Sequence, residues 1–303
     1  MVDAVLLMAL GGPDSMDQVR PFIAAVLGGR KVPPRRIEEV VHHYEAVGGR
    51  SPLTELTLQQ ARALEARLAS DGLPVPVFVG MRCWTPWLAD TVQEMARRGV
   101  RRAAVVILSA QRDRSTESQY QGSLANACNA LDGPAPEFLY VPPWHDHMLY
   151  AEALADRIHD KMADVPDLDP ATTPLLFSSH SLPARLAGIE EHVAAIRATC
   201  GRVAGLLSWR HWSLVYQSRT GRPDEPWLEP DVCTAIEALA DAGHRRVLVA
   251  CPGFVCDHVE VLYDLDMEAA GVAARRGMAF ARAATVGTHP SFLRMLSELV
   301  RAL

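Results

Sequence analysis

The stretch "RRVLVACPGFVCDHVEVLYDLDMEAA", residues 245–270, sets the fold class of this chain. Its first part, 246–251, is a short apolar run rich in valine, the composition of a buried strand. A Pro-Gly pair breaks it, and from Asp257 onward the pattern becomes helical. Strand, turn and helix in immediate succession make a βα unit. The helical part is unusual. Glu260, Asp264 and Glu268 fall at i, i+4 and i+8, one face of a helix, and Asp257 joins the same stripe. Like charges at that spacing repel, and no Lys or Arg is interspersed. Asp266 points elsewhere, and much of the remaining surface is apolar.

The same unit recurs along the chain. Further apolar strand runs are expected at 4–10, 76–79, 103–108, 138–141, 175–178, 213–216 and 279–283. Amphipathic helical patterns at 37–47, 55–68, 88–98, 150–162 and 230–242 separate them. This βα alternation predicts an α/β protein of two similar Rossmann-like domains, each a four-stranded parallel sheet flanked by helices. The stretch "DVPDLDPATTP", 164–174, is the most linker-like segment. It places the boundaries at 1–165 for the first domain and 166–285 for the second. The final helical segment, 286–303, is expected to return to the first.

Composition narrows the function. The 303 residues carry a net charge of −6, and basic residues cluster only as the pairs Arg35-Arg36, Arg101-Arg102 and Arg245-Arg246. Nucleic-acid binding is therefore not expected. The six cysteines form no CxxC, which excludes zinc knuckles and thioredoxin-type sites and fits a reducing cytoplasm. The apolar start "MVDAVLLMALGG" has Asp3 where a signal peptide needs basic residues, and no run approaches membrane-span length. A cytoplasmic protein without a transmembrane segment is expected.

In doubly wound folds, ligands sit beyond the carboxyl ends of the strands. "GGPDS" (11–15), "SAQRDRSTESQY" (109–120), "SSHSLP" (178–183), "QSRTG" (217–221) and "CPGFVCDHVE" (251–260) all occupy such positions. "GGPDS" lacks both G-x-G-x-x-G and the Walker lysine, so it reads as a strand-to-helix turn with Asp14 or Ser15 as N-cap. His180, beyond a buried strand, is either a loop-capping histidine or a general base titrating near neutrality. His258 beside Asp257 and Glu260 lacks the spacing of a zinc protease motif. Oxygen-rich ligands of this kind suit divalent iron or magnesium. His42 and His43 receive no role, and Trp212 reads as core.

Five motifs, "LLMALGGPDS", "HYEAVGGRSPL", "SSHSLP", "YQSRTG…PWLEPDV" and "GFVCDHVEVLYDLD", occur in the order and near the spacing of the ferrochelatase family, which the chain resembles over nearly its whole length. The resemblance implies a lyase of haem biosynthesis that inserts Fe2+ into a porphyrin, in a cleft between two Rossmann-like domains and without a nucleotide. It makes His180 the acceptor of pyrrole N–H protons and Glu260 the acid facing it. Asp264 and Glu268 continue the metal line toward the surface, so the metal set is His180, Glu260, Asp264 and Glu268. His258, Asp257 and Phe254 stand beside the site. Arg30, Ser51 and Tyr120 fall where coproporphyrin enzymes contact propionates, and Leu10 lies near the metal.

The short basic segment 28–53 favours coproporphyrin III. An aliphatic Leu10 is more usual in the protoporphyrin IX type, which is the alternative. The resemblance departs at Cys83 and Thr85, where relatives carry an aromatic residue or histidine, and at Ala110-Gln111-Arg112-Asp113. Arg112 and Arg114 pair either with propionates or with Asp113 and Glu117. No cofactor is expected: Fe2+ is a substrate, Mg2+ is allowed at the outer acids, and no cysteine follows Cys256 to hold a [2Fe–2S] cluster. The expected partners are the porphyrin and ferrous iron. A monomer is anticipated, in transient contact with a neighbouring haem-pathway enzyme. A non-catalytic tetrapyrrole carrier is the rival of another class, opposed by retention of His180 and Glu260. A sirohydrochlorin cobalt chelatase of the same fold lacks the "HVEVLYDLD" run. Finally, i and i+4 drift by about 40° in an α-helix. Keeping the acid line straight therefore predicts a π-type widening between Asp257 and Glu268.

Overall fold

A computed structural model of the chain describes residues 1–111, 114–165, 167–219 and 225–303, with Arg114 described by its backbone alone. It holds eight strands: β1 (Ala4–Ala9), β2 (Val77–Met81), β3 (Arg102–Ile107), β4 (Glu137–Tyr140), β5 (Leu175–His180), β6 (Trp212–Gln217), β7 (Arg246–Ala250) and β8 (Ala279–Arg282). The helices are α1 (Met16–Leu27), α2 (Pro34–Ala46), α3 (Leu53–Ser70), α4 (Leu88–Arg97), α5 (Arg114–Asn129), α6 (Met148–Asp164), α7 (Ile189–Leu206), α8 (Val232–Asp241), α9 (Ala270–Arg275) and α10 (Pro290–Arg301). All eight strand runs read from the sequence are strands. The fold is the expected pair of four-stranded parallel sheets, ordered β2-β1-β3-β4 and β6-β5-β7-β8.

The two orders are the same permutation. In each, the first strand lies between the second and third, so the direction of winding reverses between β1 and β3 and again between β5 and β7. Such reversals open a crevice at the strand carboxyl ends. All six residues of β1 are buried, as are the first five of β5. Strands covered on both faces read as continuous apolar runs rather than alternating ones, which is why these two were so legible.

The domain boundary differs from expectation. The chain divides into one unit of Met1–Pro143 with Gly287–Leu303, and a second of Trp144–Val286. The boundary set at 165 therefore falls too late, because α6 belongs to the second unit. Tyr150 donates its hydroxyl to the Pro252 carbonyl at 2.7 Å, and Arg157 donates to the Val286 carbonyl at 3.2 Å. Residues 167–174 are tied into the same unit, with Trp209 Nε1 donating to Thr173 O at 2.7 Å. Prolines and acids marked 164–174 as a linker, but hydrogen bonds among Asp169, Ala171, Thr172 and Thr173 make an ordered turn of 169–173. In the first unit, Gln60 of α3 donates to Gly287 O at 2.8 Å, and Ser297 of α10 donates to Asp71 at 2.6 Å.

Residues Val261–Ala269 are a π-helix, continued by α9. The Ala270 N–H donates to Leu265 O, five residues back. Two residue stripes share this segment. Val261, Leu265 and Ala269 are buried in the core under β5, β6 and β7, and Glu260, Asp264 and Glu268 each precede one of them. A strict period of four exceeds the 3.6 of an α-helix, so both stripes stay aligned only if the helix is wound more widely. The expected widening is present.

The basic pairs that gave no nucleic-acid signal are paired with acids: Arg36 with Glu39 at 2.9 Å, Arg102 with Glu137 at 2.9 Å and Arg246 with Asp167 at 3.0 Å. The six cysteines are free. Among the described residues, no helix is long and apolar enough to cross a membrane.

Candidate active site

The crevice of the second sheet gathers the charged side chains. His180 ends β5, and Glu260 lies just before the π-helix that follows β7. His180 Nε2 stands 3.6 Å from Glu260 Oε1. Its Nδ1 lies 2.5 Å from the Ser181 carbonyl. A carbonyl only accepts, so Nδ1 carries a proton and the lone pair of the neutral ring is on Nε2, facing Glu260. Burial works against a charged imidazole here. The Glu260 carboxylate and the Ser181 carbonyl outweigh it and push His180 up to about 9.

Asp264 is the buried member of the acid line. Burial, with Glu260 and Glu268 adding repulsion, pushes its carboxyl up to about 7, and a short hydrogen bond from Ser218 opposes the rise. Ser218 sits at φ 61 directly after β6, a left-handed conformation rare for a residue with a side chain. Gln217, before it, is a hub. It accepts from Ser178 at 2.7 Å and donates to the Glu260 carbonyl at 2.9 Å. Gln217 and Ser218 thus fix the start of the π-helix to β5 and β6. Glu268 is exposed, and burial followed by Asp231 raises its carboxyl.

Asp257 departs from its expected place on the acid stripe. It lies ahead of the helix and takes both Arg282 terminal nitrogens, at 3.2 and 3.1 Å, with Thr285 donating to it at 3.0 Å. Asp266 takes the same guanidinium at 2.6 and 2.8 Å. The stripe of four is therefore a line of three. His258 packs edge-on against Phe254, with ring centroids 4.4 Å apart, and burial holds it below the ordinary imidazole range.

The corresponding crevice of the first sheet is apolar and tightly built. Leu10 follows β1, and its carbonyl accepts from the Cys83 N–H at 2.9 Å. Gly11 has φ 92, and a Cβ there would lie 2.8 Å from the Trp84 Cβ. A Cβ on Gly12 would meet Ser51 Cβ and Oγ at 2.7 Å. These glycines serve close backbone approach within the strand-to-helix turn. Ser15 holds the N-cap position of α1 without a capping bond; its hydroxyl turns to Asp17, and Gln18 Oε1 accepts from the Asp14 N–H at 3.1 Å.

Ser51 is buried, its N–H donating to Pro13 O at 2.8 Å. Arg30 is exposed and donates to the carbonyls of Leu27 at 3.0 Å and Val26 at 3.1 Å, closing the end of α1. Tyr120 packs beside the core under β1 and β3 with Arg82 over its ring, 5.5 Å from the centroid, and burial pushes its phenol up to about 12. The reading of Arg112 and Arg114 lies outside the described residues, as does Asp113.

The ferrochelatase family model matches residues 2–303. The chain belongs to the ferrochelatase family. Its relatives include the coproporphyrin III ferrochelatase of Mycolicibacterium smegmatis, 41% identical over 98% of this chain and 88% of the relative. A protein named ferrochelatase from Rhodopirellula baltica is 39% identical, covering 99% of this chain and 85% of its own length. Among solved structures, SirB from Bacillus subtilis with Fe3+ matches with a TM-score of 0.61 at 10% identity, covering 99% of this chain and 95% of that one. CbiX, described as the terminal enzyme of sirohaem biosynthesis in denitrifying bacteria, matches at 0.56 with 18% identity, covering 99% and 98%. These likenesses establish a chelatase fold.

As a ferrochelatase, the protein is an enzyme that inserts Fe2+ into a porphyrin in haem biosynthesis. Among the described residues, no three His, Cys, Asp or Glu side chains converge as a ready ligand set, and this includes the outer acids where Mg2+ was allowed. Gln217, Ser218 and Arg282 were not singled out from the sequence. The first two sit in the "YQSRTG" motif at the carboxyl end of β6, the position that in such folds faces the ligand. Arg282 carried no comparable signal.

Proposed function

We propose that this ferrochelatase acts on coproporphyrin III, with His180 accepting a pyrrole proton as Fe2+ enters past Glu268, Asp264 and Glu260. The observation that supports it most is the His180–Glu260 pair, with Nε2 of the imidazole directed at the carboxylate 3.6 Å away. A free-base porphyrin sheds two protons for each Fe2+ it takes up. The resting pair holds a proton on His180. The charge of an approaching cation at Glu260 weakens the attraction that keeps it there. That proton leaves to solvent, and Nε2 of the neutral ring then accepts one pyrrole proton, with Glu260 the acceptor that remains for the second. Binding energy from the rest of the macrocycle would offset the bending needed to expose the nitrogen lone pairs.

For the substrate, support comes from relatives named coproporphyrin III ferrochelatases, such as that of Mycolicibacterium smegmatis at 41% identity. Arg30, Ser51 and Tyr120 in the first unit are the proposed propionate contacts. Arg30 retains free donor capacity at an exposed position, and the Tyr120 phenol stays protonated at neutral pH. Leu10 favours the second reading, protoporphyrin IX. Anaerobic absorbance assays with ferrous iron and each porphyrin decide between them. Faster insertion into coproporphyrin III supports the proposal; a preference for protoporphyrin IX reverses it.

A further inference from the structure

The five acids of 257–268 divide into two groups, and one residue does the dividing. Arg282 closes β8 with a side chain only 11% exposed. Its Nε and Nη2 bind the two oxygens of Asp266, and its Nη1 and Nη2 bind those of Asp257. The planar fork is thus filled on both edges, an arrangement the point charge of a lysine does not reproduce. The two carboxylates it holds lie on either side of Glu260 and Asp264. One precedes the helix and the other lies inside the π-helix.

We propose that Arg282 is a positioning residue that holds Val261–Ala269 in its π winding, and so fixes the spacing of Glu260 and Asp264. Asp257 and Asp266 are tied to one guanidinium, so the path between them has a set length and a set rotation. Rewinding this segment as an α-helix, at 100° per residue with a 1.5 Å rise, lengthens the path and swings Asp266 off Arg282. The same rewinding turns Asp264 away from the Glu260 line. Arg282 also takes up the charge of the two acids that are off the line. Glu260, Asp264 and Glu268 are left to act on a cation. Gln217 fixes the start of the helix from the sheet side through the Glu260 carbonyl, and Arg282 fixes its middle from β8. The role in iron delivery rests on the function proposed above; the role in winding does not.

Asp266→Asn tests this in the full chain, since it keeps the shape of the side chain and the Arg282–Asp257 pair. Two measurements are needed: initial rates against Fe2+ and against porphyrin, and amide hydrogen exchange across the second unit. The expected result is an iron KM raised by about 10–100-fold, the usual effect of losing a group that orients metal-binding side chains. Porphyrin KM stays unchanged, and exchange is faster in 261–269 while α7 keeps its protection. Arg282→Lys is expected to reproduce the effect rather than rescue it. Wild-type iron KM together with wild-type exchange in 261–269 would overturn the proposal. So would loss of protection throughout the unit, which marks a merely structural residue. If the wild-type protein inserts no iron, the functional reading fails, and exchange in 261–269 alone still decides whether Arg282 holds the winding.

Discussion

The two sheets share one strand order but differ at their crevices. At the carboxyl ends of β5, β6 and β7 stand the His180 imidazole, the carboxylates of Glu260, Asp264 and Glu268, and the polar hub Gln217. Beyond β1 are Leu10 and two glycines packed against Trp84 and the buried Ser51. The same winding thus supports reactive groups in one unit and a close-fitting apolar surface in the other. Function follows the side chains at the crevice and not the topology. Substitutions in the two crevices should accordingly differ in kind: those in the second unit alter turnover and pH dependence, those in the first alter porphyrin affinity and stability.

The largest effect is expected for His180→Ala, with kcat lower by about 10²–10⁴-fold, the usual contribution of a positioned acid–base group. Porphyrin binding, followed by absorbance titration, should persist. Unaltered turnover would remove the assigned role. Glu260→Gln should bring the His180 titration, read by NMR, down from about 9 toward the ordinary 6.5. The sign for stability follows. Because the folded value is raised, the pair stabilises the protein fully below about 6.5 and this contribution is lost as pH rises through about 9. Glu260→Gln should therefore lower Tm relative to wild type mainly on the acid side of that window, with the difference shrinking as pH rises through about 9.

Asp264→Asn acts in the opposite sense on stability. The folded carboxyl is raised from 3.8 to about 7, so the fold favours its protonated form, and wild type loses that contribution as pH rises through this range. The Asn variant has no such loss. Its Tm should gain on wild type between pH 5 and 8, by an amount corresponding to roughly 3 kcal/mol, while iron delivery slows. A Tm difference independent of pH would contradict the assignment.

Gly12→Ala probes the first crevice. Its Cβ would press on Ser51, with an expected cost of about 1–3 kcal/mol in denaturant unfolding and a raised porphyrin KM. The shape of the pH profile should not change. Arg30→Ala should be smallest in stability, under about 1 kcal/mol, because its carbonyl bonds are exposed to water. It sharpens the substrate assignment: KM for coproporphyrin III should rise more than KM for protoporphyrin IX. Equal changes would detach Arg30 from the propionates.

Legibility varied with how local the deciding interactions are. β1 and β5 were clear because strands buried on both faces are uniformly apolar. The π-helix was legible because three acids, Glu260, Asp264 and Glu268, keep a strict period of four. Asp257 was misplaced because its partner Arg282 is 25 residues away in sequence and joins it only when β8 docks on β7. The boundary at 165 failed for a similar reason. An amphipathic helix such as α6 shows that one face is buried but not which sheet buries it. Gln217 and Ser218 were overlooked because an amide and a hydroxyl at a strand end are usually loop residues, and their value comes from reaching a helix that follows a different strand.

The return of α10 to the first unit has a consequence for biosynthesis. Domains generally fold in the order in which they leave the ribosome, N-terminal first. Here the first unit is discontinuous: α10 packs on α3, and Ser297 reaches Asp71 across 226 positions. The second unit is one continuous segment, 144–286. It can close while the first still waits for its last helix. The unit bearing His180 and Glu260 is therefore the one able to mature first during translation, and the one that begins at the N-terminus is completed last.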